Sequence, residues 1–202
     1  MQPDPGRASE PEVTKGRAME SLVGHLLVAT PALRDPNFER TVVLLVAHEE
    51  GGALGVVLNR ATEVPVSEVL AGWGAIASEP AVVFEGGPVQ PDAAICLARS
   101  RTTKGDSRGF SRVDGPIGTV DLTLDPETMR DELLEVRVFA GYAGWSPGQL
   151  EEEIATGSWL TFKALPGDPF TGRPDDLWAM VLRRQGGMYA AVALYPTDPT
   201  MN

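Results

Sequence analysis

Two β-branched runs joined by four residues constrain this chain more than any other feature. Residues 41–48 read TVVLLVAH and residues 53–60 read ALGVVLNR, with EEGG between them. Runs of this composition around a short glycine-containing turn predict a β-hairpin. Both runs are apolar at odd and at even positions, so neither face of the hairpin suits water. The sequence therefore predicts a central hairpin that is covered on both sides.

The rest of the chain alternates further strands with helices. Apolar patterning, capping residues and glycine stops predict strands at 21–29, 81–87, 93–100, 117–124, 137–144 and 158–165, and helices at 64–74, 125–136, 146–157 and 173–187. The glycine-rich, charged residues 101–115 predict an exposed, mobile loop. Strands and helices interspersed in this way predict an α+β fold with a mixed sheet.

The first 20 residues differ in composition from the rest of the chain. They contain three prolines and alternating charges and have almost nothing to bury. Residues 1–20 are therefore predicted to be a disordered leader. Residues 21–202 are then predicted to form one domain, because they show no internal repeat and no linker.

Charge and cysteine content exclude several classes of function. A net charge of −11 disfavours direct binding to nucleic acid. The single cysteine, Cys96, precludes an intrachain disulfide and a multi-cysteine zinc site. No apolar run approaches the roughly 20 residues of a membrane span. We therefore expect a cytoplasmic protein, with no membrane partner and no cofactor.

Residues 144–148 read GWSPG, which satisfies the G-x-S-x-G pattern of serine hydrolases. However, the residue after Ser146 is Pro147, which has no N–H for an oxyanion hole. The loss of one such donor costs about 10²–10³ in rate. A capping box, with Ser146 as N-cap, Pro147 next and Gln149 at the third helical position, explains the same residues. We therefore predict a strand-to-helix joint and no catalytic residue.

Four blocks of sequence, in order, closely resemble the YqgE/AlgH family of bacterial proteins. They are 24–60, beginning GHLLVATP; 84–97, FEGGPVQPDAAICL; 139–160, FAGYAGWSPGQLEEEIATGSWL; and 175–184, DDLWAMVLRR. The resemblance implies a single α+β domain whose bent sheet forms a barrel-like body flanked by helices. It implies no established activity, substrate or cofactor, and one branch of the family carries a transcriptional-regulator label.

Two short segments are candidate contact surfaces. The joint offers two aromatic side chains and one amide: Tyr142, Trp145 and Gln149. Aromatic surface of this kind serves either a core or an interface. The other segment could present backbone N–H groups to an anion, although a tight turn is the simpler interpretation. Its residues are Gly86, Gly87 and Pro88.

The ends of the hairpin supply three further candidates. His48, beside Glu49 and Glu50, could be a titrating base or a single metal ligand, or simply a polar turn residue. No metal site is predicted there, because the second histidine of the H-E-x-x-H motif is missing. Asn59 and Arg60 could hold an anion or cap the strand.

The predicted hairpin register keeps these candidates apart. If EEGG pairs His48 with Ala53, then Asn59 lies opposite Val42. Six residues of strand place His48 about 20 Å from Asn59, too far for one small substrate.

These observations leave two hypotheses. The first is a non-enzymatic regulatory or interaction protein that binds a protein partner or a small ligand. The second is a small-ligand-binding protein or an enzyme that uses His48 and nearby carboxylates. A concave pocket around His48, with other polar groups converging on it, would favour the second.

Overall fold

A computed structural model describes residues 20–103 and 107–195. The predicted leader, apart from Glu20, and the last seven residues of the predicted domain lie outside them. Within this range the strands are β1 His25–Ala29, β2 Val42–Glu49, β3 Gly52–Val57, β4 Ala61–Pro65, β5 Val82–Glu85, β6 Val89–Ser100, β7 Phe110–Asp114, β8 Ile117–Val120, β9 Leu133–Trp145 and β10 Trp159–Lys163. The α-helices are α1 Val66–Val69, α2 Gln149–Ala155, α3 Leu177–Gln185 and α4 Gly187–Val192.

One curled sheet forms the body of the molecule. Its main path runs β10-β1-β2-β3-β9-β6-β8-β7, while β5 pairs with β9 in parallel and β4 pairs with β5. The sheet curls until its two edge strands meet, where Lys163 Nζ of β10 lies 3.0 Å from Asp114 Oδ1 of β7. The predicted α+β class, with a bent mixed sheet flanked by helices, is confirmed.

The predicted hairpin is present as β2 and β3, in the middle of the sheet. His48 pairs with Ala53 as expected, but a bulge between Leu45 and Ala47 shifts the remaining pairs by one residue. One face of the hairpin packs in a core cluster with α3, and the other packs in a cluster that includes Leu150 of α2. The prediction of cover on both sides is confirmed.

The helix predicted at 125–136 is wrong beyond its first turn. Asp125 does cap a short 3₁₀ turn, accepting a hydrogen bond from the Glu127 N–H at 3.0 Å. From Leu133 onward the chain is β9, which pairs with β6 from Leu133 to Ala140. The capping signal was real, but sheet pairing overrode the local helix propensity.

The mobile loop predicted at 101–115 is also partly wrong. Residues 104–106 lie outside the described range, but Phe110–Asp114 form β7 and pair with β8. Phe110 is buried in a core cluster with Val120 and Met129. Burial of this aromatic ring explains why a polar, glycine-rich segment is ordered there.

The strand-to-helix joint exists, but its cap differs from the predicted one. Helix α2 begins at Gln149 and its N-cap is Gly148, with φ of 77°. The Ser146 Oγ makes no hydrogen bond to the described residues; instead the Ser146 N–H donates to Gln149 Oε1 at 3.0 Å. The left-handed glycine delays the start of the helix by two residues, so Pro147 precedes it.

One arginine, Arg137 of β9, is wholly buried between the sheet and two loops. Its guanidinium donates to the carbonyls of Glu79, Pro169 and Thr171 at 2.7, 3.2 and 2.9 Å. It also lies 4.3 Å from the centroid of the Phe84 ring. Burial lowers the pKa of Arg137 to about 10, so the side chain is charged at neutral pH. Arg137 was not among the residues predicted to be important from the sequence.

None of the helices in the described part of the chain is both long and apolar enough to cross a membrane.

Candidate functional site

The structure separates the nine sequence candidates into three places. The first group lies around α2: His48, Trp145 and Gln149. The second lies where the segment before β6 crosses β9: Gly86, Gly87, Pro88 and Tyr142. Asn59 and Arg60 lie at the far end of β3.

His48 lies inside the molecule, and both of its ring nitrogens are occupied. Its Nδ1 accepts a hydrogen bond from the Leu22 N–H at 3.0 Å, and its Nε2 lies 2.7 Å from Glu151 Oε1. Since Nδ1 accepts, the ring proton belongs on Nε2, which donates to the carboxylate. The carboxylate partner is therefore Glu151, on α2, rather than the neighbouring Glu49 or Glu50.

Because of the contact between His48 and Glu151, we expect the stability of the fold to depend on pH. The pKa of Glu151 is lowered, first by a hydrogen bond from its own backbone N–H and then by the bond to His48. Such a carboxylate stabilises the fold above its unfolded pKa, and the contribution is lost as the pH falls through the folded pKa. We expect Glu151→Gln to lower the urea midpoint at pH 7. The gap to the wild type should begin to narrow as the pH falls below the ordinary glutamate pKa of about 4.3, and it should close at still lower pH.

Glu152→Gln is the matched control, because it removes the same charge from the same helix turn without touching His48. Chemical denaturation of both variants at the two pH values makes the comparison. Equal urea midpoints for the two variants at pH 7 would show that the contact between His48 and Glu151 does not stabilise the fold.

Trp145 and Gln149 belong to an aromatic cluster under α2. The indole N–H groups of Trp145 and Trp159 both donate to Glu153 Oε2, at 2.9 and 2.8 Å. The Gln149 amide donates to Glu153 Oε1 at 2.9 Å. The Phe38 ring stacks on Trp145, with centroids 6.3 Å apart. Trp145 is only 6% exposed, so its indole points into the protein.

The turn at Gly86 and Gly87 packs backbone against backbone. A Cβ on Gly87 would lie 2.3 Å from the carbonyl carbon of Tyr142. The Gly86 N–H donates to the Ala140 carbonyl at 2.8 Å, and its carbonyl accepts from the Val57 N–H at 2.8 Å. The Gly86 N–H is therefore already used in the fold, while Pro88 is exposed.

Asn59 and Arg60 tie the end of β3 to the loop before β2. The Asn59 amide accepts from the Val42 N–H and donates to the Arg40 carbonyl, both at 2.9 Å. The Arg60 guanidinium donates to the Pro36 carbonyl at 2.8 Å. Because of the bulge, Val42 lies opposite Leu58 rather than Asn59, so the predicted register is wrong by one residue at this end; Asn59 still lies at the end of the hairpin away from His48.

An apolar cleft lies on the face of β5 and β9. None of the nine residues predicted from the sequence lines it. One wall of the cleft is formed by β4 and α1. The other wall is the irregular part of β6, between Val89 and Ala94, where the pairing with β9 is interrupted. Pro91 and Asp92, in this irregular part, line the cleft. The cleft has a volume of about 470 Å³. Its lining is chiefly apolar: Val64, Val69, Leu70, Val83, Val138 and Ala140.

Two polar side chains also line the cleft. Thr62 is used within the fold, since its Oγ1 donates to the Val83 carbonyl at 2.7 Å and accepts from the Val64 N–H at 3.2 Å. Asp92 is exposed, and its carboxylate makes no hydrogen bond or ion pair to any residue the structure describes. Among the lining residues, Asp92 alone is charged and available to a ligand.

No sequence pattern predicted this cleft. One signal was present: Pro91 lies inside what becomes β6, and proline within a strand marks an edge or a bulge. Residues 61–65 carried no strand prediction, so nothing placed β4 beside that bulge. No group of three or more histidine, cysteine, aspartate or glutamate residues in the described range could hold a metal ion.

Comparison with known proteins places the chain in a family. The profile of the AlgH-like family matches residues 26–190, which is most of the chain. The chain belongs to the AlgH-like family. The predicted resemblance is therefore confirmed, and the match includes the cleft, the α2 cluster and the hairpin.

Individual AlgH-like relatives agree over nearly their whole length. A UPF0301 protein of Streptomyces avermitilis is 52% identical over 187 residues, which is 91% of this chain and 97% of the relative. A UPF0301 protein of Mycobacteroides abscessus is 44% identical over 181 residues, covering 89% and 87%.

Two solved structures share the fold. The crystal structure of protein DIP2367 from Corynebacterium diphtheriae matches with a TM-score of 0.83 and 30% identity, over 88% of this chain and 94% of that one. The solution structure of AlgH from Pseudomonas aeruginosa matches with a TM-score of 0.65 and 29% identity, over 96% and 100%.

Proposed function

We propose that this AlgH-like protein is a cytoplasmic, non-enzymatic regulatory protein that acts by binding a small apolar ligand. The observation that carries the proposal is the cleft on β5 and β9. Its volume of about 470 Å³ lies within the range of small-molecule sites, which are mostly apolar with a few polar groups. The rim exposes Val64 and Val69 to water by 42% and 55%, and a ligand would cover them.

The hydrogen bonds around α2 favour binding in the cleft over an enzyme built on His48. Both ring nitrogens of His48 already have partners, Leu22 and Glu151. A general base must reach the proton that it removes, and here a substrate would first have to displace these contacts. His48 is also absent from the cleft lining.

We propose that the protein regulates through the ligand it binds and not through contact with DNA. A net charge of −11 opposes contact with a phosphate backbone, whose affinity for proteins depends on basic side chains. Ligand binding would instead alter the position of the short helix α1, whose residue Val69 forms the rim.

Probe binding tests this proposal. The uncharged probe N-phenyl-1-naphthylamine becomes fluorescent in apolar surroundings, so we expect it to bind the wild-type protein. Ala140→Leu, which fills the floor of the cleft, should weaken binding about tenfold. Ala61→Leu is the control, because it adds the same side chain on β4 outside the lining.

Both variants should first be shown to fold by circular dichroism and thermal unfolding. No fluorescence with the wild type, or equal binding by both leucine variants and the wild type, would contradict binding in the cleft.

A further inference from the structure

The acidic side chains around the cleft indicate which class of ligand it binds. This inference rests on the proposed function. Asp92 is the charged residue of the lining, and its carboxylate has no partner among the residues that the structure describes. The two rim segments, 61–70 and 89–94, contain no lysine or arginine. Of their two further acidic residues, Glu68 lies on α1 beside the lining residue Val69, whereas Glu63 alternates with the lining residues Thr62 and Val64 of β4 and faces away from the cleft. Glu68 and Asp92 are both exposed.

The nearby basic side chains do not compensate for this charge. Arg60, just before β4, is not in the lining and donates to the Pro36 carbonyl, in the loop before β2. Arg137 of β9 is buried on the opposite side of its strand from Val138. Its guanidinium donates hydrogen bonds to the carbonyls of Glu79, Pro169 and Thr171. The rim segments therefore carry a net negative formal charge, which favours cations over anions.

We infer that the cleft takes a cationic amphiphile: a small molecule with an apolar body and a protonated amine. The apolar body would lie against Val83, Val138 and Ala140, and the ammonium group would lie at the mouth beside Asp92. Burial of the apolar body supplies the larger part of the affinity. The exposed ion pair supplies the smaller part and selects the sign of the charge.

A displacement series tests the charge preference. Decylammonium, decanol and decanoate share one apolar chain and differ in the head group, and each is titrated against bound N-phenyl-1-naphthylamine. We expect decylammonium to displace the probe at about fivefold lower concentration than decanol, and decanoate to be the weakest. The preference should shrink as salt is added, because the pair is exposed.

Asp92→Asn identifies the residue responsible. This variant should bind the uncharged probe as the wild type does, while decylammonium falls to within about twofold of decanol. Glu49→Gln is the charge-matched control, since Glu49 lies at the β2–β3 turn and not in the lining. Decylammonium should keep its full advantage in that control.

The outcomes separate the two proposals. If the probe does not bind, the proposed function fails. If the probe binds but the three head groups compete equally, the cleft is a ligand site and the inference about charge is overturned. An ammonium preference that survives undiminished in Asp92→Asn would likewise overturn the assignment to Asp92.

Discussion

Replacing Arg137 with methionine should lower the free energy of unfolding by at least about 3 kcal/mol. Methionine fills much of the same space but donates no hydrogen bond. The carbonyls of Glu79, Pro169 and Thr171 would lose a charged donor inside the protein. These carbonyls belong to two loops that Arg137 joins to the middle of β9, so both loops should loosen. Urea denaturation measures the effect.

A second arginine of the sheet provides the control. Arg99 of β6 lies 2.6 Å from Glu135, and both side chains are about one-third exposed. An ion pair with this exposure contributes about 1 kcal/mol or less to the free energy of unfolding. Arg99→Met should therefore lower the free energy of unfolding only slightly. If Arg137→Met and Arg99→Met destabilise the protein equally, the buried arginine does not hold the loops together.

Replacing Trp145 with alanine should lower the free energy of unfolding by about 3–5 kcal/mol, because it leaves a large cavity under α2. The indole contacts Phe38 and Trp159, and its N–H is one of the donors to Glu153. Thermal or urea unfolding measures the loss. This expectation follows from the burial of a ring that the sequence analysis treated as a possible contact surface.

Trp145→Phe separates packing from hydrogen bonding. It keeps an aromatic ring but removes the indole N–H, while Trp159 still donates to Glu153. We expect it to lose about 1–2 kcal/mol, well below the loss in the alanine variant. A Trp145→Ala protein as stable as the wild type would mean that this ring is available to a partner instead.

The parts of the fold that depend on neighbouring residues could be predicted from the sequence. The hairpin of β2 and β3 needs only two apolar runs and a short turn, and its burial on both faces follows from the lack of any polar face. The helices α2 and α3 are marked by glycines and charged ends. For the same reason, the four sequence blocks were sufficient to indicate the family.

The parts that depend on distant residues could not be predicted. Glu151 lies 103 residues from His48, so the pairing that occupies the histidine leaves no trace in the local sequence. Strand β9 was mistaken for a helix at its start because its partner, β6, lies far away along the chain. Arg137 carried a usable signal, a charge between Val136 and Val138, but only the fold shows the carbonyls it meets.

The candidate site was missed for a related reason. A cleft exists where three segments leave space between them, and its alanine floor and valine rim look ordinary in each segment alone. Sequence patterns detect reactive side chains more readily than empty volume. The polar candidates were therefore chosen first, and the structure uses most of them to hold elements together.

Nuclear magnetic resonance gives the most direct test of binding in the cleft. Amide spectra of ¹⁵N-labelled protein would be recorded with and without N-phenyl-1-naphthylamine. Binding as proposed predicts that the largest shifts belong to β4, α1 and the irregular part of β6, including Val64, Leu70 and Ala93. Shifts centred on Trp145 and α2, or no shifts at saturating probe, would contradict it.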